Sequence, residues 1–169
     1  TETAQSLNID ASRVRLLAGG SDVNGIRNIG TLLMPLRMDA DVLQASSRSS
    51  YASVIAVEDQ DDLTLAPREG NLPALDFFNN GEGRLLVRSG GDLVVNSELR
   101  VQAAQSSAIT LASSGGHLRL NSDIHLGNGA LTLQAAGDVL QAAGSKILNP
   151  LGTTSVKAGT VASSGVAVG

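Results

Sequence analysis

The stretch of sequence that decides the fold lies between residues 84 and 141, where one pattern occurs three times. Residues 84–101 read RLLVRSGGDLVVNSELRV, residues 108–126 read AITLASSGGHLRLNSDIHL, and residues 130–141 read ALTLQAAGDVLQ. Leu85, Ile109 and Leu131 occupy equivalent positions, at intervals of 24 (109 minus 85) and then 22 (131 minus 109). A repeat of this length is typical of a solenoid, in which each copy contributes one structural unit.

Short apolar triplets within each copy predict β-strands. In residues 109–111 (Ile-Thr-Leu), two apolar residues flank a polar one, so the alternation of a strand places both apolar side chains on one face. A single coil cannot bury that face or pair its backbone, whereas coils stacked about 4.8 Å apart do both. The sequence therefore predicts an all-β parallel β-helix (solenoid), with about seven coils of roughly 22 residues in the 169-residue chain.

The composition agrees with a thin core made of aliphatic side chains. Hydrophobic residues make up 42% of the chain, but it contains only two Phe, one Tyr and no Trp. An ordinary globular core of this size usually contains more aromatic residues. We expect the paired glycines Gly90–Gly91 and Gly115–Gly116 to form tight corners with positive φ, where a Cβ atom would clash.

The rest of the chain follows the pattern less regularly. We expect residues 1–169 to be one β-helix segment of a larger protein, because Thr1 is not an initiator and both ends look cut from longer sequence. Its parts are degenerate coils at 1–62, a coil with an excursion at 63–83, regular coils at 84–157, and a tail or the start of the next coil at 158–169. A further candidate strand runs from residue 29 to residue 33.

Three placements depend on local strings. Residues 63–65 (Leu-Thr-Leu) precede Leu85 by an interval of 22 (85 minus 63), which predicts that they start the coil beneath it. The string DVLQA at 41–45 returns at 138–142, which indicates that the N-terminal half uses the same coil. The run SSRSS at 46–50 is expected to be an exposed loop.

Cysteine content, charge and hydropathy exclude several classes of site. The absence of cysteine excludes disulfides and cysteine-ligated metals. The net charge of −4, without a basic cluster, argues against a nucleic-acid partner. No run approaches the roughly 18 apolar residues of a membrane-spanning helix, and no signal peptide opens the chain, so we expect no membrane insertion.

An acidic run formed by Glu58, Asp59, Asp61 and Asp62 raises the question of calcium, a cation that prefers carboxylate oxygens. The run lacks the Asp-x-Asp-x-Asp-Gly loop and also the glycine-rich repeats of calcium-binding β-rolls. The preferred interpretation is a solvated acidic turn, which also discourages sideways pairing of strands.

The two histidines occupy different places in the repeat. Alignment of the copies puts His117 between Asp92 and Asp138, and such a stack could hold a metal ion or raise the pKa of the imidazole. The alternative is that all three are turn residues whose side chains bond nearby backbone. His125 alternates with apolar residues, so it should point outward beside Arg100.

Two pairs of polar residues should also stack on one another. Asn96 and Asn121 occupy equivalent turns, where their amides would form a short hydrogen-bonded ladder. Glu98 and Asp123 would lie about 5 Å apart if their strands pair, and two carboxylates can hydrolyse a glycosidic bond. No neighbouring Arg, Lys or aromatic residue is expected to hold a sugar there, so an exposed turn is preferred.

Motifs of catalysis are missing from the sequence. It contains no Gly-x-Ser-x-Gly, His-Glu-x-x-His, phosphate-binding loop or dinucleotide fingerprint. We therefore predict that the chain is not an enzyme and has no catalytic, cofactor-binding or metal-binding residues.

The strings ALTLQAAGDVL at 130–140 and SGGDLVVN at 89–96 resemble the repeats of bacterial filamentous haemagglutinin-like large exoproteins and related giant repeat-bearing surface adhesins. The resemblance is close over residues 84–142, loose over 36–65 and poor elsewhere. It implies a right-handed parallel β-helix in a secreted or cell-surface protein that serves cell adhesion. The family's amino-terminal secretion module is not recognisable, and residues 66–83 depart from plain repeats.

The expected function is therefore that of a structural and interaction segment of an extracellular, adhesin-like bacterial exoprotein. It would act as a β-helical stalk or presenting scaffold, with further coils of the same polypeptide and host or neighbouring-cell glycans or proteins as partners. One alternative is a β-helical carbohydrate-binding or polysaccharide-cleaving domain. Another is a self-associating module, because open coil ends expose unpaired strands.

Overall fold

A computed structural model describes residues 9–19, 27–49, 52–67, 73–79, 81–103 and 107–159. These residues form strands and turns and contain no helix, so the all-β prediction is confirmed. The strands are β1 (Ile9–Asp10), β2 (Arg13–Gly19), β3 (Arg27–Ile29), β4 (Leu36–Asp39), β5 (Val42–Ser49), β6 (Ser53–Asp59), β7 (Leu63–Leu65), β8 (Leu75–Asn79), β9 (Gly83–Ser89), β10 (Leu93–Val95), β11 (Leu99–Ala103), β12 (Ser107–Ser113), β13 (Leu118–Leu120), β14 (Ile124–Leu126), β15 (Gly129–Ala135), β16 (Val139–Gln141), β17 (Ile147–Leu148) and β18 (Thr153–Lys157).

The described strands form two sheets in which every pairing is parallel. The first sheet runs β1-β4-β6-β9-β12-β15-β18, with β3 also on β6. The second runs β16-β13-β10-β7-β5-β8-β11-β14-β17, with β2 also on β5. In each central repeat the chain contributes one strand to the first sheet and two to the second, whose two columns of strands meet at β5, and this arrangement is consistent with a β-solenoid.

The register predicted for the three repeats is confirmed. Leu85, Ile109 and Leu131 are direct neighbours across β9, β12 and β15. The predicted extension at the C-terminal side is also confirmed, since Leu133 of β15 pairs with Val156 of β18. Of the predicted tail at 158–169, only residues 158 and 159 are described.

The core consists of rows of aliphatic side chains that run from strand to strand. The residues of these rows are at most 3% exposed in the central strands: Ile55, Leu85, Ile109 and Leu131; Val57, Val87, Leu111 and Leu133; Leu63, Leu93 and Leu118; Leu65, Val95 and Leu120; Leu75, Leu99 and Ile124; Phe77, Val101 and Leu126. Burial of each such side chain contributes about 1.5–3 kcal/mol. Only one of the 28 buried members of this cluster is aromatic, as the composition predicted.

The placement of residues 63–65 beneath Leu85 is wrong. Leu63 pairs with Leu93, whereas the partner of Leu85 on that side is Ile55. Both pairs have an interval of 30 (93 minus 63, and 85 minus 55), not the interval of 22 that the sequence suggested.

An insertion explains the longer spacing. Nine residues, 66–74, connect β7 to β8, whereas three residues, 96–98, connect β10 to β11. The six extra residues lengthen the interval between paired residues for every strand that precedes them. After the insertion the interval has its usual value, because Leu75 pairs with Leu99 (99 minus 75 is 24). Within the predicted excursion, residues 75–79 form β8, while residues 68–72 lie outside the described part of the chain.

The two DVLQA strings, at 41–45 and 138–142, adopt registers that differ by one residue. Leu43 lies in the same row as Gln141, not in the row of Leu140. A shift of one residue turns a strand's side chains to the other face. Leu43 is consequently buried, whereas Leu140 is 39% exposed.

The run SSRSS at 46–50 is not an exposed loop over its described residues, because β5 extends to residue 49. Ser47 is fully buried, and its Oγ atom lies 2.8 Å from the Oγ atom of Ser53. The polar run therefore continues strand β5, and one of its hydroxyl groups, that of Ser47, is buried against Ser53.

The strand predicted at 29–33 is also wrong, because β3 ends at residue 29. Gly30 has a φ of 65° and turns the chain out of the sheet. The backbones of Thr31 and Met34 then bond each other twice, at 2.9 and 3.1 Å, which closes a tight turn. Leu33 at its tip is 94% exposed.

Candidate functional site

Polar side chains at equivalent turns form a hydrogen-bonded series that we call the turn ladder: Asp62, Asp92, His117 and Asp138. Asp92 donates its backbone N–H to Oδ1 of Asp62 at 2.6 Å, and His117 donates its backbone N–H to Oδ1 of Asp92 at 2.7 Å. Asp138 then donates its backbone N–H to Nδ1 of His117 at 2.9 Å. The predicted stack of Asp92, His117 and Asp138 is confirmed, and Asp62 extends it by one repeat.

The glycines before the ladder residues serve a purpose other than the one predicted. None of Gly90–Gly91 and Gly115–Gly116 has a positive φ, so the prediction of left-handed corners is wrong. A Cβ atom on Gly91 would instead collide with Oδ1 of Asp62, and one on Gly137 would collide with His117. The glycine leaves room for the side chain below to reach the next backbone N–H.

The structure favours a structural role for His117 over a metal-binding one. Its Nδ1 atom accepts a hydrogen bond and lies 3.5 Å from Oδ2 of Asp138, so this nitrogen is already engaged. The bond from the His117 backbone holds the pKa of the Asp92 carboxyl below 3.8, and Arg119, 3.3 Å away, contributes in the same direction. The first two bonds of the ladder, to the carboxylates of Asp62 and Asp92, are charge-assisted contacts between repeats.

The acidic run is divided among separate partners. Glu58 faces outward between Arg37 and Arg88, at 3.4 and 3.3 Å, and Asp62 belongs to the turn ladder. Asp59 points inward. Over the described residues, no group of three or more His, Asp or Glu side chains is arranged to hold a metal ion. The predicted solvated turn is confirmed for Asp61 and Asp62 and wrong for Glu58 and Asp59, which end strand β6.

Asp59 is the one buried carboxylate of that run, at 1% exposure. Its Oδ2 atom accepts the backbone N–H of Ala40 at 2.9 Å, and its Oδ1 atom accepts that of Asp61 at 3.2 Å. Burial raises the pKa of Asp59 to about 6, because the lost hydration outweighs these two bonds. Sequence reasoning missed the inward direction of this residue, because the run around it reads as uniformly acidic.

A second group of charges, the lateral cluster, lies on the outward face of β11 and β14 and at the residue directly before each strand: Glu98, Arg100, Asp123 and His125. Arg100 donates to both carboxylate oxygens of Glu98, at 2.8 to 3.3 Å. His125 pairs with Arg100 in register, as predicted, and its Nδ1 and Nε2 atoms lie 3.8 Å from Glu98 and 3.5 Å from Asp123. The expectation that no arginine accompanies this carboxylate pair is wrong.

The lateral cluster continues downward onto β8 and β5. Asp76 pairs with Arg100 in register and forms an ion pair with Arg48 at 3.1 Å. Phe78, two residues further along β8, is 52% exposed and lies between Arg48 and Gln102. Sequence reasoning missed this face because the insertion before β8 hid the alignment of residues 75–79 with the repeats.

The predicted amide ladder is confirmed at one step. Asn121 donates from Nδ2 to Oδ1 of Asn96 at 2.8 Å. Like the turn ladder, this bond joins equivalent turns of adjacent repeats and adds no reactive group.

Comparisons of this chain with protein-family models, with curated proteins and with solved structures found no match. Within the described ranges there is no helix long and apolar enough to cross a membrane.

Proposed function

We propose that the chain is a right-handed parallel β-helix of about seven coils, each of roughly 22 residues, and that it serves as a stalk or presenting scaffold. It would belong to an extracellular, adhesin-like bacterial exoprotein, in which further coils of the same polypeptide continue the stack. Its contribution to cell adhesion would be mechanical, with glycans or proteins of another cell as the eventual partners.

The observation that carries this proposal is the unbroken register of the central repeats. Seven consecutive residues of β12 pair with both β9 and β15, so that this strand is held by a continuous parallel ladder on two sides. Polar side chains of the turns form hydrogen bonds between adjacent repeats, as in the turn ladder. Such a structure lengthens along the stack by addition of repeats.

A repeat deletion tests the scaffold directly. Ser107 and Gly129 are neighbours in register, so deletion of residues 107–128 removes one whole repeat and joins equivalent points. The shortened chain should fold cooperatively and lose about 4.8 Å of length in small-angle X-ray scattering. Deletion of residues 107–117, half a repeat, is the matched control and should prevent folding. Equal behaviour of the two deletions would contradict the proposal.

The location can be tested separately. Antibody labelling and protease treatment of intact producing cells should reach the segment in its parent protein. Labelling only after lysis would refute the extracellular assignment.

One observation favours the alternative of a carbohydrate-binding or polysaccharide-cleaving domain. The lateral cluster combines two carboxylates with Arg100, and Phe78 is exposed on the same face. Retaining and inverting glycosidases need two carboxyl groups, one of which donates a proton, whereas both oxygens of Glu98 accept from Arg100. An oligosaccharide array with a product assay distinguishes the two. Turnover that is abolished by Glu98→Gln or Asp123→Asn would establish the cleaving alternative, and the absence of both binding and turnover would support the scaffold.

A further inference from the structure

The turn ladder contains one acceptor that is not a carboxylate. Asp62 and Asp92 each accept the backbone N–H of the next repeat with a carboxylate oxygen, whereas His117 accepts it with a ring nitrogen. An aspartate is ordinarily ionised throughout the range from about pH 5 to 8, in which histidine changes its charge. The first two bonds of the ladder are therefore constant over this range, and the third depends on the charge of the imidazole.

That third bond and a protonated imidazole exclude each other. The Nδ1 atom of His117 accepts the backbone N–H of Asp138 at 2.9 Å. Neutral imidazole has one ring nitrogen that accepts and one that donates, so the ring proton lies on Nε2 while this bond exists. In the protonated ring both nitrogens carry a proton and neither accepts. Protonation of His117 must therefore break the bond to the Asp138 amide.

The carboxylate of Asp138 provides the protonated ring with a different partner. Its Oδ2 atom lies 3.5 Å from Nδ1 of His117, on a side chain that is 70% exposed and able to move. A movement of less than about 1 Å would bring the two atoms to the length of a charge-assisted hydrogen bond, about 2.7–2.9 Å. The backbone N–H favours the neutral ring and the carboxylate favours the charged ring. Because each charge state has a partner, protonation exchanges one bond for another.

The remaining charged groups near the imidazole are Asp92, on the turn below, and Arg119, on the strand that His117 precedes. Asp92 accepts the backbone N–H of His117 at 2.7 Å and forms an ion pair with Arg119 at 3.3 Å. The bond from the His117 backbone, together with Arg119, holds the pKa of Asp92 below its ordinary value. Asp92 therefore stays ionised, and its bond stays formed, while His117 changes charge.

The backbone bonds on both sides of this contact do not involve the imidazole. Gly137 donates to the carbonyl oxygen of Gly116 at 2.8 Å, and Leu118 donates to that of Asp138 at 2.9 Å. The contact also lies within the stack, since the chain continues past it and Gly159 donates to the carbonyl oxygen of Gly137 at 2.9 Å. Strands β13 and β16 consequently stay paired when the imidazole is protonated, and the change is confined to the turn.

We propose that His117 is a pH-dependent joint in the turn ladder. The neutral imidazole bonds the backbone N–H of Asp138 and fixes the turn between β15 and β16. The protonated imidazole releases that N–H and bonds the Asp138 carboxylate instead, so that the turn loosens in acid while the repeats on either side remain stacked.

Nuclear magnetic resonance of the full chain between about pH 8 and about pH 5 tests the proposal. As the pH falls, the Asp138 amide should lose protection against hydrogen exchange at least about fivefold relative to an unstructured peptide at the same pH, because its acceptor is lost. The ring nitrogens of His117 report its charge, and the two transitions should coincide. The Asp92 amide, which bonds Asp62, is the internal control and should keep its protection.

Three variants separate the exchange of bonds from simple titration of a histidine. His117→Asn should abolish the pH dependence of the Asp138 amide, because an amide oxygen accepts an N–H at every pH. His117→Asp should do the same with the acceptor that the neighbouring turns use. Asp138→Asn keeps the backbone N–H but removes the carboxylate that receives the protonated ring, so the transition should move to lower pH. His125→Gln is the matched control and should leave the transition unchanged.

Circular dichroism checks that each variant is folded. An Asp138 amide that is unprotected at the upper pH, or equally protected at both, would overturn the proposal. So would a loss of protection that persists in His117→Asn, that extends equally to the Asp92 amide, or whose midpoint Asp138→Asn does not lower. None of these results bears on the stalk function, which the repeat deletion tests.

Discussion

Replacement of Gly91 by alanine should break the first bond of the turn ladder. An added Cβ atom would collide with Oδ1 of Asp62, the atom that accepts the backbone N–H of Asp92 at 2.6 Å. That bond joins an ionised carboxylate to an amide, and such bonds contribute about 1.5–3 kcal/mol. Because Gly91 has no positive φ, alanine also lowers the conformational entropy of the unfolded chain. This effect stabilises the folded state by about 0.4–1 kcal/mol and offsets part of the loss. The net loss of stability should be about 1–2 kcal/mol.

A double-mutant cycle isolates the contact. In an Asp62→Ala background the colliding carboxylate is absent, so Gly91→Ala should cost only a few tenths of a kcal/mol, which gives a coupling of about 1–2 kcal/mol. Gly127→Ala is the matched control. The nearest atom to its added Cβ would be the carbonyl oxygen of Val101 at 4.0 Å, and stability should change by less than about 1 kcal/mol.

Urea denaturation followed by circular dichroism measures these differences, and exchange of the Asp92 amide reports the bond itself. Additive effects of Gly91→Ala and Asp62→Ala would refute the proposed role of the glycine. So would a Gly91→Ala variant as stable as Gly127→Ala.

Three further outcomes are expected. Since the folded pKa of Asp59 (about 6) exceeds its ordinary value of 3.8, protonation favours the folded state. When the pH is lowered from 7 to 4, the free energy of unfolding of the wild type should therefore rise by about 2 kcal/mol relative to that of Asp59→Asn in urea titrations. A difference between the two proteins that does not change with pH would contradict this. Ser113→Ala removes a buried hydroxyl that bonds two backbone groups at 2.6 and 3.0 Å, and should lower the free energy of unfolding by about 2 kcal/mol. Arg88→Ala breaks a half-exposed ion pair with Glu58 and should cost less than about 1 kcal/mol in the same assay, a difference that about 1 M salt should abolish.

The regular repeats could be aligned from the sequence because their apolar residues alternate without interruption. Leu85, Ile109 and Leu131 are each two residues from another apolar residue of the same strand, and a shift by one would expose the whole set. The same reasoning placed His117 between its two aspartates, since the glycines before them fix the position of each turn.

The N-terminal side could not be aligned in this way because different rows use interchangeable triplets. Leu-Thr-Leu forms β7 at 63–65, yet the same triplet at 131–133 belongs to β15 in the other sheet. The lengths of the connections between strands decide which row such a triplet joins. The six extra residues before β8 carry no apolar pattern that would reveal the longer connection. The inward direction of Asp59 depends on that same alignment, so it could not be predicted either.

The lateral cluster was only partly predictable. The pairing of Arg100 with His125 follows from the repeat, but the bond from Arg100 back to Glu98 is made locally, between residues two positions apart. Spacing along a strand does not determine which way a long arginine side chain turns.

The central claim is that repeats stack in parallel and in register, and disulfide trapping tests it most directly because the chain has no cysteine of its own. Thr110, Thr132 and Ser155 follow one another in a single outward row. Cysteines at 110 and 132 would lie on adjacent strands about 4.8 Å apart, within the range a disulfide spans, whereas cysteines at 110 and 155 would lie about twice as far apart. We predict rapid intramolecular oxidation of the first pair and none of the second. Failure of the first pair, or equal oxidation of both, would contradict the parallel stack.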